Sequence, residues 1–238
     1  MEVVIELNPD LDVEALAQAF ATHGRLQIPE LLRRDCAESL LRAFQKNTQW
    51  HVAYNEGESA VESPLAEVQR LPEAQRQRFY QAINQRAGTQ FQYCFLQYYI
   101  TENVKRGDNP GHPLHSAQAF LNSESFLQLM RKITGEPAIT HADALASVYG
   151  PGHFLTDHDD RHATRDRVAA YVLSLTKNWN RNWGGHLVFF DERGNISDGF
   201  LPSFNTLNMF RVPQSHAVQS VAPFARSGRF SITGWLHR

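Results

Sequence analysis

The hydrophobic rhythm of the chain changes once, near residue 135. Before that point apolar residues recur at the three-and-four spacing of amphipathic helices; after it they alternate in short runs. Asp12 to Thr22 predicts a helix with Val13, Leu16, Ala17 and Phe20 on one face, capped by Asp10 or Asp12 and ended by Gly24. Arg25 to Ile28 predicts a short strand stopped by Pro29, and Leu31 to Lys46 a helix carrying Leu32, Cys36, Leu40 and Phe44. Trp50 to Tyr54 reads as a strand, Asn55 to Pro64 as a polar loop, and Pro72 to Gly88 as a helix with Pro at its start and Gly at its end. Phe91 to Ile100 has no charged residue and reads as a buried strand. Val104 to Ser116 holds two Gly, two Pro and two His; it reads as a surface loop or as a lid over a site. Ser123 to Thr134 predicts a fourth helix, stopped by Gly135.

From Glu136 onward seven runs read as strands: Ile139 to Tyr149, Phe154 to Asp160, Val168 to Leu175, His186 to Phe190, Thr206 to Phe210, Ala217 to Val221 and Phe230 to Leu236. Gly-rich and Asn-containing turns separate them, which suggests a β-sandwich or barrel. Helices first and strands afterward suggest a mainly β, antiparallel α+β fold with the helices on one face. No linker separates the halves. The chain therefore reads as one domain over 1–238, with 1–135 as helical support and 136–238 as the barrel core.

Composition narrows the function. The formal net charge of −2 provides no basic footprint for nucleic acid. Two cysteines, Cys36 and Cys94, form no CxxC or disulfide framework and fit a reducing compartment. The start, MEVVIELNPD, lacks the basic and apolar regions of a signal peptide, and no run of about 18 apolar residues occurs. These features lead us to expect a cytoplasmic protein with no membrane span. Oligomeric state stays open, a homodimer included.

The candidate chemistry centres on Tyr149 to Asp160, which ends in His158-Asp159-Asp160. In a strand, residues i and i+2 share a face, so His158 and Asp160 would present an imidazole and a carboxylate together. Those are two of the three ligands of a facial Fe(II) triad. The motif is not specific by itself: 11 His and 11 Asp yield about 0.5 chance matches, and a second one exists at His141-Ala142-Asp143. His216, just before an alternating strand, supplies a candidate third ligand. In Arg229-Phe230-Ser231-Ile232-Thr233 polar and apolar residues alternate, and a barrel-facing Arg229 would need an anionic partner such as a carboxylate. No HExxH and no G-x-S-x-G occurs, which argues against zinc and serine hydrolases.

These residues resemble the 2-oxoglutarate- and Fe(II)-dependent oxygenases of the prolyl-hydroxylase type, in particular the ribosomal prolyl hydroxylase branch. The resemblance rests on Tyr149-x-x-Gly-x-x-Leu-x-x-His158-Asp-Asp160, Trp183-Gly184-Gly185-His186-Leu187, His216, and Arg229-x-Ser-Ile-x-Gly-Trp-x-His237. It covers roughly residues 138–238 and implies a double-stranded β-helix, or jelly roll, behind the N-terminal helices. It also implies that His158, Asp160 and His216 are iron ligands, that Arg229 pairs with the distal carboxylate of 2-oxoglutarate, and that Tyr149 and Ser231 line that pocket. Cofactors would be Fe(II), 2-oxoglutarate and O2, with ascorbate as a further candidate. The reaction would hydroxylate an unactivated C–H, prolyl or other, of a protein or peptide, with succinate and CO2 as co-products. A small-molecule hydroxylase or a non-catalytic cupin-like binder of metal or carboxylate would use the same scaffold. Ser174 stands where some relatives have a tyrosine, and the His216 to Arg229 gap implies a longer turn around Pro223. Trp235 reads as core, Trp179 and Trp183 as a cap, His153 and His162 as solvated or supporting the metal site. The acceptor site is expected near Val104 to Ser116, Asn178 to Gly185 and Arg211.

Overall fold

A computed structural model describes residues 4–46 and 48–238; the first three residues of the acidic N-terminal stretch lie outside it. In chain order its elements are α1 (Val13–His23), β1 (Arg25–Pro29), α2 (Arg34–Ala43), β2 (His51–Glu56), β3 (Ser59–Pro64), α3 (Leu65–Arg70), α4 (Glu73–Ala87), β4 (Tyr93–Tyr98), α5 (Ile100–Arg106), α6 (His115–Leu121), α7 (Glu124–Thr134), β5 (His141–Ala142), β6 (Leu145–Tyr149), β7 (Phe154–His158), β8 (Arg167–Ser174), β9 (Leu187–Phe190), β10 (Ile196–Phe200), β11 (Thr206–Arg211), β12 (His216–Val218) and β13 (Arg229–His237).

Local chemistry sets the helix ends. Asp12 accepts from the Ala15 N–H, and Gly24 closes α1 in the left-handed conformation. Ser123 caps α7 by accepting from Phe126 N–H, and Gly135 ends it the same way as Gly24. The strands pair antiparallel in the order β1-β11-β8-β13-β6-β4-β7-β12-β9-β10. β4 joins the two layers: Leu96 to Tyr98 pair with β6, whereas Tyr93 and Cys94 pair with β7. At the opposite edge Arg25 of β1 reaches Asp198 of β10 at 3.0 Å, so a salt bridge spans the seam of a nearly closed barrel.

β13 shows how the faces divide. Ile232 and Leu236 are fully buried in the core that also takes Phe20, Leu40, Phe126, Tyr171 and Met209, under α1, α2 and α7. Arg229, Ser231, Thr233 and Trp235 point the other way, into the barrel. A second apolar cluster, with Val172, Phe189 and Phe210, lines that interior. The alternation in the sequence therefore sorts one strand between helix packing and cavity.

Several sequence expectations are corrected. The helix placed at Leu31 begins only at Arg34, because Leu32 is extended and bridges Leu7. The loop Asn55 to Pro64 is mostly strand: β3 pairs β2 around a tight turn with Gly57 at positive φ. β3 and β10 were invisible because edge strands that face water carry polar residues and no apolar alternation. The run Ile139 to Tyr149 is split into β5 and β6. Val104 to Ser116 is neither one long loop nor a lid. Its start belongs to α5, which ends at Gly107, and its end opens α6. Leu114 is fully buried, and the rings of His112 and His115 pack on Tyr98 at 4.9 and 6.0 Å.

Candidate active site

β7 and β12 run side by side, and His216 lies directly across from His158. That pairing brings the two imidazoles to 4.1 Å between centroids, although they are 58 positions apart in the chain. Asp160 reaches them by a different route from the one the sequence suggested. β7 ends at His158, and Asp160 adopts φ +63°, so the chain turns its carboxylate back rather than continuing the strand face. Its two oxygens lie 3.4 Å from His158 Nε2 and 3.5 Å from His216 Nε2. One donor atom from each residue falls within 4.8 Å of the others, a grouping able to hold a metal ion.

Hydrogen bonds orient the donors. His158 Nδ1 donates to Thr156 O at 3.0 Å and His216 Nδ1 to Gln214 O at 2.7 Å, assignments made from the acceptor chemistry. This leaves both Nε2 atoms facing the carboxylate, the side on which a metal would bind. Arg167 Nη1 donates to Asp160 O at 2.9 Å and steadies the turn. Burial, then the positive partner His158, pushes the His216 imidazole down to about 4, so it is neutral near pH 7. Burial also opposes charge on Asp160 and His158, but their mutual attraction outweighs it, lowering the carboxyl and raising the imidazole.

These residues open into a cavity of about 630 Å³ lined by both barrel layers. Deep in it Arg229 is 3% exposed, and no carboxylate lies within ion-pair distance among the described residues. Its Nε has no hydrogen-bond partner. Its guanidinium lies 5.0 Å from the Tyr149 ring, its register partner on β6. Burial lowers its pKa, yet a guanidinium stays charged, so an uncompensated buried cation faces the cavity. Ser231 is fully buried and its hydroxyl lies 3.1 Å from that of Ser147. Ser174, opposite Ser231 in register, has a buried hydroxyl with no partner. The Gly184-Gly185 pair is needed for close approach: a Cβ on Gly185 would stand 3.1 Å from Trp179 and 3.6 Å from Arg229 Cδ.

The residue set suits iron and a small dicarboxylate. Two imidazoles, with His158 giving up its proton on binding a metal, and one carboxylate match the facial Fe(II) donor set, and the orphaned Arg229 calls for an anion at the bottom of the cavity. The second His-x-Asp pair does not join them. Asp143 instead binds buried His237, and His141 stacks on His237 at 4.7 Å.

Sequence reasoning missed part of the wall. Trp235, expected in the core, lines the cavity beneath the Arg167 guanidinium, 3.7 Å from its ring. Phe91, Tyr93, Phe95, Tyr99 and Ser147 also line it. Its exposed rim, the mouth, is formed by Glu58, Ala60 and Glu62 of the β2–β3 hairpin and by Arg161, His162 and Arg165. Residues from Val104 to Ser116, Asn178 to Gly185 and Arg211, where an acceptor site was expected, do not line it. His162 does, and Trp179 with Trp183 forms an edge-to-face pair outside it.

Comparison with known proteins agrees with this geometry. The family described as the 2OG-Fe(II) oxygenase superfamily matches residues 144–237. The chain is 31% identical over 138 residues to prolyl 3-hydroxylase OGFOD1 of Mus musculus, covering 54% of this chain and 24% of that protein. It thus spans about a quarter of the curated relative it matches. Among solved structures, a Pseudomonas putida prolyl-4-hydroxylase aligns with TM-score 0.61 and 20% identity over 95% of this chain and 98% of that one. A Trichoplax adhaerens prolyl hydroxylase, solved with a hypoxia inducible factor oxygen degradation domain peptide, aligns with TM-score 0.60 and 17% identity over 94% and 88%. The chain carries a 2-oxoglutarate- and Fe(II)-dependent oxygenase fold on a jelly-roll barrel. Residues 144–237 are thus similar to that oxygenase superfamily, and the His158, Asp160 and His216 grouping they contain could hold the metal its name specifies. No helix among the described residues is long and apolar enough to cross a membrane.

Proposed function

We propose that this chain hydroxylates a prolyl residue of a protein or peptide, with His158, Asp160 and His216 holding Fe(II) and Arg229 anchoring the distal carboxylate of 2-oxoglutarate. The observation that carries this reading is the buried, unpaired Arg229 at the bottom of the cavity that the three donors open into. When bound, iron with 2-oxoglutarate and O2 supplies the oxidising chemistry that converts C–H to C–OH, with succinate and CO2 released.

The chain's own residues supply placement. The Nδ1 bonds of His158 and His216 hold each ring with Nε2 toward the metal. Arg229, 3% exposed, offers a fork to a carboxylate away from bulk solvent, where such a pair is strong. Burial keeps Tyr149 a neutral phenol, able to donate its O–H, and Ser231 adds a hydroxyl from the same strand as Arg229. Arg167 and Trp235 wall the acceptor side. We read residues 1–238 as one oxygenase domain, since α1, α2 and α7 share a core with β8, β11 and β13. We place the activity in the cytoplasm, on the strength of two free buried cysteines.

The test is anaerobic loading with Fe(II) and 2-oxoglutarate, then admission of air, with succinate measured alone and with cell extract. Hydroxyproline in the acid hydrolysate of the extract protein reports the acceptor. The wild type is expected to form succinate, slowly without extract, and Arg229→Ala to lose it. His158→Ala and Asp160→Ala are expected to abolish turnover with the fold intact; full turnover in either would remove them as ligands. Binding of both cofactors without succinate, even with extract, would overturn the enzyme reading.

A further inference from the structure

A large apolar side chain left exposed on a folded chain is ordinary by itself and gains meaning where it adjoins a site. Val4, Phe91, Val104, Ile196 and Phe224 are such residues here. Of these only Phe91 lines the cavity, with 44% of it exposed. Its ring centroid stands 5.3 Å from that of His158, tilted by 44°, and 5.8 Å from that of Tyr93. An open aromatic face therefore sits between the metal site and the mouth.

The mount beneath that ring is rigid. Gln92 is fully buried, and each of its polar side-chain atoms is used. Its Oε1 accepts from Asn55 N at 2.7 Å and from Tyr93 N at 2.8 Å, and its Nε2 donates to Asn55 O at 2.9 Å. Its backbone N–H donates to Thr156 Oγ1 at 2.9 Å, while Thr156 returns its own N–H at 2.9 Å and its hydroxyl at 3.0 Å to Gln92 O. Thr156 lies two residues before His158, and its carbonyl orients the His158 ring. Buried Asn55 begins the part of the β2–β3 hairpin that lines the cavity. One buried amide thus ties the hairpin, the Phe91 backbone and the metal strand together.

We infer that Phe91 is the platform on which the acceptor's pyrrolidine ring packs beside the metal, and that Gln92 is the positioning residue that keeps platform, hairpin and metal strand in register. The inference rests on the prolyl hydroxylase reading above. Proline rings dock on aromatic faces because the flat, electron-rich surface takes their C–H bonds with little entropy to lose on either side. A fixed ring also restricts the substrate to poses near the reacting centre, where small misplacement is costly. Glu58, Glu62, Arg161 and Arg165 line the same cavity, so charged groups of both signs border the platform.

The readout is the ratio of protein hydroxyproline to succinate in the extract assay. Phe91→Ala and Phe91→Leu are expected to lower it by about tenfold or more, the size of losing a central aromatic contact. Phe91→Tyr retains a ring and is expected to rescue it. Phe224→Ala, which removes an exposed Phe outside the cavity, serves as the control with an unchanged ratio. Gln92→Leu is expected to lower the ratio as well and to speed amide hydrogen exchange at Asn55 and Tyr93, the two N–H groups its Oε1 holds. A wild-type ratio in Phe91→Leu overturns the platform. An unchanged ratio in Gln92→Leu with faster exchange overturns the positioning role. If the wild type forms neither succinate nor hydroxyproline, the oxygenase reading fails first, a result separate from a working enzyme indifferent to Phe91.

Discussion

At the residue scale, the barrel interior holds polar groups that cost stability unless something meets them. Arg229 is the largest case. Removing it should weaken 2-oxoglutarate binding by about 2–4 kcal/mol, the usual loss for a buried charged hydrogen-bonded pair, read as a raised KM for 2-oxoglutarate in succinate release. Ser174 is the smaller one. Its hydroxyl is buried without a partner, so Ser174→Ala should leave cofactor-free stability within about 0.5 kcal/mol of the wild type in urea unfolding, or raise it. His153 connects stability to pH. Its Nδ1 accepts from Gly150 N–H at 3.1 Å, and burial holds its pKa below the ordinary 6.5. The unfolded chain therefore takes up this proton first as pH falls below 6.5. Stability associated with His153 is complete above that value and is lost below it. Urea midpoints at about pH 7.5 and 5.5 should differ less in His153→Gln than in the wild type.

At the element scale, β13 holds the site and the core together. Gly234 sits where its strand meets Asp143; a Cβ there would lie 2.0 Å from the Asp143 carbonyl oxygen. A glycine inside a strand marks such an approach. Gly234→Ala should cost about 1–3 kcal/mol, as overpacking does, seen as a lower urea midpoint with an unchanged slope. The failure to read β3 and β10 from sequence also belongs at this scale. Ser59 to Pro64 offers Val61 as its main apolar contact, and Ile196 itself is exposed. Their strand conformation comes from pairing with β2 and β9, which no residue in them announces.

At the scale of the whole molecule, the grouping of His158, Asp160 and His216 that could hold a metal forms only when β7 and β12 pair and the turn after β7 closes. Metal should then bind the native state alone and stabilise it, by about 2.7 kcal/mol at a hundred times its dissociation constant. Adding Fe(II) under argon is expected to raise the melting temperature of the wild type, a chelator to reverse the rise, and Asp160→Asn to abolish it. A rise that survives in Asp160→Asn would place the ion elsewhere.

Much of this was legible in the chain itself. The change from helical to alternating rhythm placed helices before strands, and the polar positions Arg229, Ser231 and Thr233 faced the cavity as their alternation required. The donors His158, Asp160 and His216 could be named because their chemistry is a property of single residues, and a family pattern ordered them. Tertiary structure alone decided how they meet. Asp160 turns into a left-handed conformation instead of extending β7, and His216 arrives by pairing across 58 residues. It also decided that the β2–β3 hairpin, not Val104 to Ser116, borders the mouth, and that Gln92 fastens it there. The physical reason is the same in each case: periodicity and capping are local and written in neighbouring residues, whereas register, cavity walls and buried hydrogen bonds depend on which distant segments pack together.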